Sequence, residues 1–229
     1  MAKAARLSHL VGDLFPLAFR HDDPRFGTCV GVHLPVAPSV DPASLLGSLH
    51  PEEQAICRSM RGPRLIEWIG ARHASRLARA GMPGAGSPTL SGPSGAPEVG
   101  GGVKLSISHT ETLAVALAST NRGNTIGVDV EAIPLEARGE DLLAERILSL
   151  TERDDRAIET VQRLSIKEAA YKAISSLTGK HLPLCEISVQ RDGDQGFSIR
   201  APDAEMLVEA ISSRIAGHYL SMAWARLQP

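Results

Sequence analysis

Several stretches of the chain alternate apolar residues with small or polar ones, which is typical of β-strands. The clearest alternations cover residues 26–33 and 126–130. Further strands are predicted over 105–108, 113–118, 187–190, 197–200 and 220–224. The turn at 191–196 predicts that two of these strands form a hairpin.

Helical periodicity is predicted in four places. His50, Pro51 and two glutamates form a helix start, because proline and carboxylates suit the first turn. The other three helices are predicted over about 64–80, 140–158 and 162–177. Residues 204–216 fit a helix or a strand, and the first 25 residues give no clear pattern.

Residues 81–103 contain eight Gly, four Pro and three Ser, which predicts a mobile loop without a packed element. On either side of residue 120 the chain has a similar order of strands and helices, although no sequence repeat is evident. We therefore predict an α+β protein, a pseudo-dimer of two similar α/β subdomains that span residues 1–119 and 120–229.

Composition excludes several classes of protein. The 229 residues are 43 % hydrophobic with a net charge of −2, so a packed globular protein is expected and a globally basic nucleic-acid binder is not. No apolar run approaches the roughly 20 residues that span a membrane, and no signal peptide is evident. Three scattered cysteines fit neither a disulfide framework nor a zinc site. These features predict a cytoplasmic protein with reduced thiols.

The first candidate chemical feature is the strand sequence Gly-Val-Asp-Val-Glu at residues 127–131. Residues two apart on a strand share a face, so Asp129 and Glu131 project together, roughly 6–7 Å apart at Cα. Carboxylate oxygens suit Mg²⁺, which keeps its other positions for water and phosphate. The alternative is a strand end with both acids in solvent. The opposite face, with Ile126, Val128 and Val130, is expected to lie in the core.

The second feature lies on the helix predicted over 162–177. Ser165, Glu168 and Lys172 share one face, opposite an apolar face that contains Ile166, Ala169, Ala170, Ala173, Ile174 and Leu177. One interpretation is an exposed Glu–Lys pair, one helical turn apart. The other is a third carboxylate for a metal, with a lysine beside it for a phosphate.

The third feature is a stripe of arginines along the helix predicted over 64–80. Residues 58–79 contain six arginines and one acid, Glu67, and Trp68 lies on the same face. The stripe itself consists of Arg61, Arg64, Arg72, Arg76 and Arg79. Three interpretations of this stripe remain open: a solvated helix face, a phosphate-binding site or a nucleic-acid-binding surface. A further candidate, His109, lies between two predicted strands, where a lone histidine is usually only a turn residue.

The order of these segments resembles the 4′-phosphopantetheinyl transferases. The signatures of that family are Gly-(Val/Ile)-Asp-x-Glu and Trp-x-x-Lys-Glu-(Ala/Ser)-x-x-Lys. They match residues 127–131 and, apart from Leu164 in place of the aromatic residue, residues 164–172. Residues 64–72 and 106–109 resemble segments of the enterobactin-type branch. That branch has a lysine and a Trp-Pro pair before the histidine, whereas this chain has Leu-Ser-Gly-Pro at 90–93.

The resemblance implies an enzyme that transfers phosphopantetheine from coenzyme A to a serine of an apo acyl or peptidyl carrier protein. Asp129, Glu131 and Glu168 would hold Mg²⁺, and Glu168 and Lys172 would be catalytic. Contacts with the phosphates of coenzyme A are implied for Arg64, Arg72, His109 and Lys172. Glu152 aligns loosely with an acidic position that some members use near the metal. Glu168 is expected to be the general base.

The partners predicted are therefore coenzyme A and a carrier protein, with no nucleic acid and no membrane, and the enzyme is predicted to be a monomer. Two alternatives remain open at this point. One is a Mg²⁺-dependent phosphohydrolase that uses the same three carboxylates. The other is a non-catalytic nucleic-acid-binding module that uses the arginine helix.

Overall fold

A computed structural model describes residues 10–36, 41–93, 95–134, 140–152, 155, 157–202 and 205–228. The chain forms two compact units, unit 1 over Met1–Thr120 and unit 2 over Asn121–Pro229. Within the described ranges, no helix is long and apolar enough to cross a membrane.

Unit 1 contains a four-stranded antiparallel sheet with the order β1-β2-β6-β5, and a separate short hairpin of β3 and β4. Its strands are β1 (Leu17–Asp23), β2 (Gly27–His33), β3 (Leu90–Ser91), β4 (Pro97–Glu98), β5 (Lys104–His109) and β6 (Leu113–Ser119). Its helices are a 3₁₀ segment (Pro42–Ser48), α1 (Pro51–Cys57) and α2 (Gly62–Ala78). Strand β1 has no clear apolar alternation and was not predicted, because it is an edge strand with little buried surface.

The core of unit 1 lies between α2 and the sheet. Apolar residues recur on the buried face of α2, among them Leu65, Ile69 and Ala74, and they pack with Val30 and Val32 of β2. Helix α1 starts with a capping box, in which the side chains of His50 and Glu53 accept backbone N–H groups of the first turn. These contacts place α1, α2 and β5 around one buried cluster.

His73 on α2 makes unit 1 sensitive to acid. Burial, with a smaller contribution from Arg76, lowers the pKa of His73 from 6.5 to about 4. Its ring lies 6.5 Å from that of Phe15. Since the unfolded state takes up the proton first, stability is fully present above pH 6.5 and is lost as the pH falls towards 4.

We expect the free energy of unfolding of the unmodified protein, called the parent below, to fall by about 1–2 kcal/mol between about pH 7.5 and 5, because His73 takes up its proton more readily in the unfolded state. His73→Gln should lose less over the same interval, since glutamine does not titrate. Denaturant unfolding at both pH values measures the difference. His21→Gln, at an exposed position, is the matched control, and equal pH dependence of parent and His73→Gln would contradict the assignment.

Unit 2 contains a five-stranded antiparallel sheet with the order β7-β11-β10-β9-β8. Its strands are β7 (Thr125–Ala132), β8 (Ser188–Asp192), β9 (Gly196–Arg200), β10 (Met206–Ile215) and β11 (His218–Leu227). Its helices are α3 (Glu140–Ile147), α4 (Thr160–Thr178) and a 3₁₀ segment (Leu184–Glu186). Buried apolar residues of α4 pack against the sheet, among them Ile166, Ala169, Ala170, Ala173 and Ile174.

The two units repeat one arrangement. In each unit, the last strand lies between two partners. One is the strand that precedes the long helix, and the other is the strand that comes directly before the last one in sequence. These sets are β2-β6-β5 in unit 1 and β7-β11-β10 in unit 2. The long helix, α2 or α4, packs on the three strands. The predicted α+β class with two similar subdomains is therefore confirmed.

Two predictions of local structure need correction, and one ambiguous segment is resolved. The helix predicted over 140–158 ends at Ile147, and of the residues beyond it 153, 154 and 156 lie outside the described ranges. The ambiguous residues 204–216 contain strand β10, which pairs with β9 and β11. The segment 81–103 is not free of packed structure, because it contains the β3–β4 hairpin and the fully buried Thr89.

Candidate active site

The acidic face of β7 lies under helix α4. Gly127 starts this face, and a Cβ built there would lie 2.0 Å from the carbonyl oxygen of Ala169. Glycine is therefore needed at 127 for α4 to approach the strand so closely. Two residues further on, Asp129 is only 4 % exposed, and Glu131 is half-buried. The acids thus point towards the helix, and Asp129 is not a solvated strand-end residue.

Helix α4 brings Lys172 to this face. Its Nζ donates to Asp129 Oδ1 at 2.7 Å and to the carbonyl oxygen of Val128 at 3.0 Å. Glu168, one turn earlier, is half-buried. Ser165 is fully buried, and its hydroxyl donates to the carbonyl oxygen of Asp129 at 3.4 Å. Ser165 and Lys172 both contact Asp129, so the polar face of α4 packs on β7 and is not an exposed helix surface.

The carboxylates of this cluster affect one another electrostatically. Burial, together with the charges of Asp129 and Glu168, raises the pKa of Glu131 to about 7, although Lys172 lowers it in part. Burial and the charge of Asp129 also raise the pKa of Glu168. One lysine therefore faces three carboxylates, and the cluster carries excess negative charge when all three are ionised.

This donor set fits a hard divalent cation. Mg²⁺ binds carboxylate oxygens, commonly uses only one or two of them, and completes its shell with water and phosphate. A divalent cation would relieve the repulsion that raises the two glutamate pKa values. Within the described residues, however, no three His, Cys, Asp or Glu side chains converge closely enough to form a complete metal cage. The fit therefore rests on the chemistry of the acids and not on a preformed cage.

Glu152 belongs to a different, fully buried charge network. Its carboxylate accepts hydrogen bonds from Lys167 Nζ at 2.6 Å and from Arg163 at 3.0 Å. It also accepts from the backbone N–H groups of Ser149 and Val189, each at 2.8 Å. With these four donors engaged, Glu152 joins α4 to its neighbouring segments, and its contacts do not support the loosely implied position near a metal.

Unit 1 contains a cavity of about 300 Å³ beside α2. Three residues that were predicted to contact phosphate lie in its wall. Two of them come from α2, and the third comes from the end of β5. They are Arg64, Arg72 and His109. The other lining residues are Glu67, Trp68, Ala71, Ser91, Gly95, Pro97 and Ile107. The structure thus brings together residues that are up to 45 positions apart in sequence.

Arg72 is the most buried charge in this cavity wall. Its guanidinium stacks over the Trp68 ring at 3.3 Å from the ring centroid and donates to the carbonyl oxygen of Thr89 at 3.4 Å. Burial lowers the pKa of Arg72 to about 10, so the group stays ionised at neutral pH. Arg72 Nε and Trp68 Nε1 have no hydrogen-bond partner among the described residues. The wall therefore has unused donor capacity.

The arginine stripe is not one exposed basic surface. Arg61 and Arg64 are exposed, whereas Arg79 is fully buried. Arg76 pairs with the buried Glu53 at 3.4 Å, and Arg79 donates to the carbonyl oxygens of Gly84 and Ser87, each at 3.1 Å. Two of the five arginines of the stripe therefore hold unit 1 together, because buried charges need partners.

Sequence reasoning missed several contributors to the cavity wall. Ser91, Gly95 and Pro97 come from the glycine- and proline-rich segment, whose composition predicted only a loop. Glu53 and Thr89, which do not line the cavity but lie next to its arginines, were not singled out either, and Glu53 was noted only as one of two glutamates in the first turn of a helix. Several arginines in one helix suggest that an acidic partner lies nearby, but the sequence alone does not show which acidic residue is buried beside them.

Comparison with known families accounts for both units. Residues 51–119 match the model for the 4′-phosphopantetheinyl transferase N-terminal domain, and residues 125–223 match the model for the 4′-phosphopantetheinyl transferase superfamily. No curated protein matches the chain. The fold and the two matches define a transferase of phosphopantetheine. The chain belongs to the 4′-phosphopantetheinyl transferase superfamily, whose members act on coenzyme A and carrier proteins.

Proposed function

We propose that this transferase uses Mg²⁺ to move 4′-phosphopantetheine from coenzyme A to a serine of an apo acyl or peptidyl carrier protein, releasing adenosine 3′,5′-bisphosphate. The observation that carries the proposal is the cluster of Asp129, Glu131, Glu168 and Lys172 on β7 and α4. Family membership supports the same reaction. We also propose that the enzyme acts as a cytoplasmic monomer.

In unit 2, we assign the metal to Asp129, Glu131 and Glu168. A Mg²⁺ ion held by these residues would supply positive charge next to the phosphates of coenzyme A. Lys172 pairs with Asp129 and has a further N–H donor for a phosphate oxygen.

Glu168 is assigned as the general base. A serine hydroxyl is a weak nucleophile at neutral pH, so a group must accept its proton as the bond to phosphorus forms. Burial raises the pKa of Glu168 and so keeps its carboxylate basic, against the lowering that a bound cation would bring. The nucleophile belongs to the carrier protein, which agrees with the absence of a nucleophile–base pair in the family signatures of this chain.

In unit 1, we assign Arg64, Arg72 and His109 to phosphate groups of coenzyme A, and the two arginines to its 3′-phosphate. Guanidinium groups bind phosphate through their N–H donors, and Arg72, which lies in the cavity wall, has an Nε donor without a partner among the described residues. Its stacking on Trp68 holds the guanidinium plane in one orientation. The arrangement favours a phosphate that lies beside an apolar surface.

The proposal is tested by incubating the protein with coenzyme A, Mg²⁺ and an apo carrier protein, followed by intact mass measurement of the carrier. A mass gain of one phosphopantetheine group, together with release of adenosine 3′,5′-bisphosphate, is the expected result. Hydrolysis of coenzyme A without a modified carrier would favour the phosphohydrolase instead. Salt-sensitive binding of nucleic acid without either reaction would favour the non-catalytic module.

Arg72→Gln tests the phosphate assignment. We expect a loss of about 10- to 100-fold in affinity for coenzyme A, because hydrogen bonds between charged groups contribute about 1.5–3 kcal/mol. Affinity for dephospho-coenzyme A, which lacks the 3′-phosphate, should change much less. Calorimetric titration of both ligands gives the comparison. Arg58→Gln, at an exposed position outside the cavity, is the control, and equal losses for both ligands would place Arg72 elsewhere.

A further inference from the structure

Three arginines of unit 1, at positions 72, 76 and 79, lie around one buried carboxylate. Glu53 is 1 % exposed, and its charge favours the ionised forms of Arg72, Arg76 and Arg79 against the burial that lowers their pKa values. Three positive charges and one negative charge leave an excess of two positive charges in this cluster, whose member Arg72 lines the cavity. An anion in the cavity is therefore attracted by the positive charge of these arginines, and the negative charge of Glu53 reduces that attraction in part.

Glu53 also fixes one segment of backbone. Its Oε1 accepts the N–H of Thr89 at 2.8 Å, while Oε2 accepts the N–H of His50 at 3.0 Å and an N–H of Arg76 at 3.4 Å. The carboxylate thus joins the start of α1, the side of α2 and the segment before β3. A group with this many partners has very little freedom to move.

Thr89 connects this carboxylate to Arg72. Its hydroxyl lies 2.9 Å from Ser75 Oγ and accepts from Arg79 at 3.3 Å, so both sides of the residue are held. Its carbonyl oxygen accepts from Arg72, which also stacks on Trp68. The guanidinium of Arg72 is therefore placed between a tryptophan ring and a carbonyl group that Glu53 and Arg79 locate.

We propose that Glu53 and Thr89 are positioning residues for Arg72, and that they set the selectivity for a ligand with the 3′-phosphate over one without it. The inference rests on the proposed role of Arg72. Neither residue lines the cavity, so each acts through Arg72 and not by contact with the ligand. If Thr89 is held less firmly, the Arg72 guanidinium can adopt several orientations. Binding a phosphate at one fixed position then costs more conformational entropy, so the affinity falls.

The test compares Glu53→Gln and Thr89→Val with the parent in steady-state transfer, using coenzyme A and dephospho-coenzyme A as alternative substrates. We expect the KM for coenzyme A to rise by about 10-fold, with little change in the KM for dephospho-coenzyme A or in kcat. Thr89→Val keeps the backbone N–H for Glu53 and removes only the hydroxyl, so it remains informative if Glu53→Gln does not fold. Thr89→Ser restores the hydroxyl and should restore the selectivity.

Glu52→Gln is the matched control, since Glu52 is the neighbouring exposed carboxylate on α1. A purely structural role predicts lower thermal stability with parental selectivity in the folded fraction, and this result would overturn the inference. Parental selectivity in Thr89→Val would overturn it as well. If the parent itself does not distinguish the two substrates, the proposed role of Arg72 fails together with the inference. If the variants keep the selectivity that the parent shows, the role of Arg72 stands and the inference alone fails.

Discussion

Asp129→Ala should lower the rate of phosphopantetheine transfer by about 10²- to 10³-fold, the range seen when one group that stabilises developing charge is removed. Asp129 is the most buried of the three acids and the direct partner of Lys172. Its loss removes a proposed metal ligand and also frees Lys172 to pair with another carboxylate. The transfer assay at saturating coenzyme A, over a range of Mg²⁺ concentrations, measures the effect.

The same substitution has a second expected consequence in the absence of ligand. The charge of Asp129 raises the pKa values of Glu131 and Glu168, so Asp129→Ala should lower both. The protein should remain folded, because one of several mutually repelling acids is removed. Asp194→Ala, at an exposed turn between β8 and β9, controls for the loss of an acid from unit 2. Parental transfer by Asp129→Ala would refute the metal assignment.

Local sequence pattern predicted much of the fold because apolar residues recur at the spacing of each element. In β2 and β7 both faces are largely buried, and the alternation was readable because one face carries larger apolar side chains than the other. The helical spacing in α2 and α4 follows from packing against a core. Strand β1 escaped prediction, since its residues are mainly exposed and its pairing with β2 supplies the order that its own sequence lacks. Strand β10 was ambiguous for a related reason, because it needs neighbours on both sides.

The candidate site shows where such patterns stop being informative. Spacing along β7 predicted that Asp129 and Glu131 share a face, but not that α4 covers this face. The close approach at Gly127 is a property of the packed helix, whereas a glycine within a strand pattern is equally compatible with a bulge or a sharp bend. Lys172 was assigned to a phosphate from the family resemblance, and its contact with Asp129 emerges only in three dimensions.

The buried charges of both units illustrate a related limit. Arg79, Arg163 and Lys167 are among the largest fully buried side chains, although residues of these types are mostly exposed. Helical spacing placed Arg79 on the same stripe as Arg64, yet one is buried and the other exposed. The difference lies in the carbonyl groups of the glycine- and proline-rich segment, which supply partners for Arg79. Those partners lie beyond the end of α2 and are not predictable from the helix alone.

The arrangement in unit 2 also separates two roles that neighbouring residues of α4 play. Lys167 points into the buried network with Glu152, while Glu168 belongs to the acidic cluster with Asp129 and Glu131. Consecutive residues of a helix point in directions about 100° apart, so one helix serves both clusters. The network around Lys167 holds the first turns of α4 in place. Glu168 is consequently presented by a rigid element, which suits a group that must accept a proton at a defined position.

Glu168→Gln should lower the turnover number by about 10²-fold or more, with a much smaller effect on the affinity for coenzyme A. Glutamine keeps the size of the side chain and one carbonyl oxygen, but it is barely basic and cannot accept the proton of the attacking serine. Single-turnover rates with excess enzyme report the chemical step, and equilibrium titration reports the affinity. Glu186→Gln, at an exposed position after α4, is the control.

The pH dependence of the same reaction separates a base from a ligand. Since Glu168 must be ionised to act as the base, the parent rate should fall as the pH drops through the pKa that this group has in the Mg²⁺-bound enzyme. The rate is retained above that pKa, since the base must be ionised, and Glu168→Gln should lack this dependence. If Glu168→Gln turned over at nearly the parental rate, a water molecule would have to act as the base, and Glu168 would contribute only charge and position. The size of the loss thus decides how the serine of the carrier protein is activated.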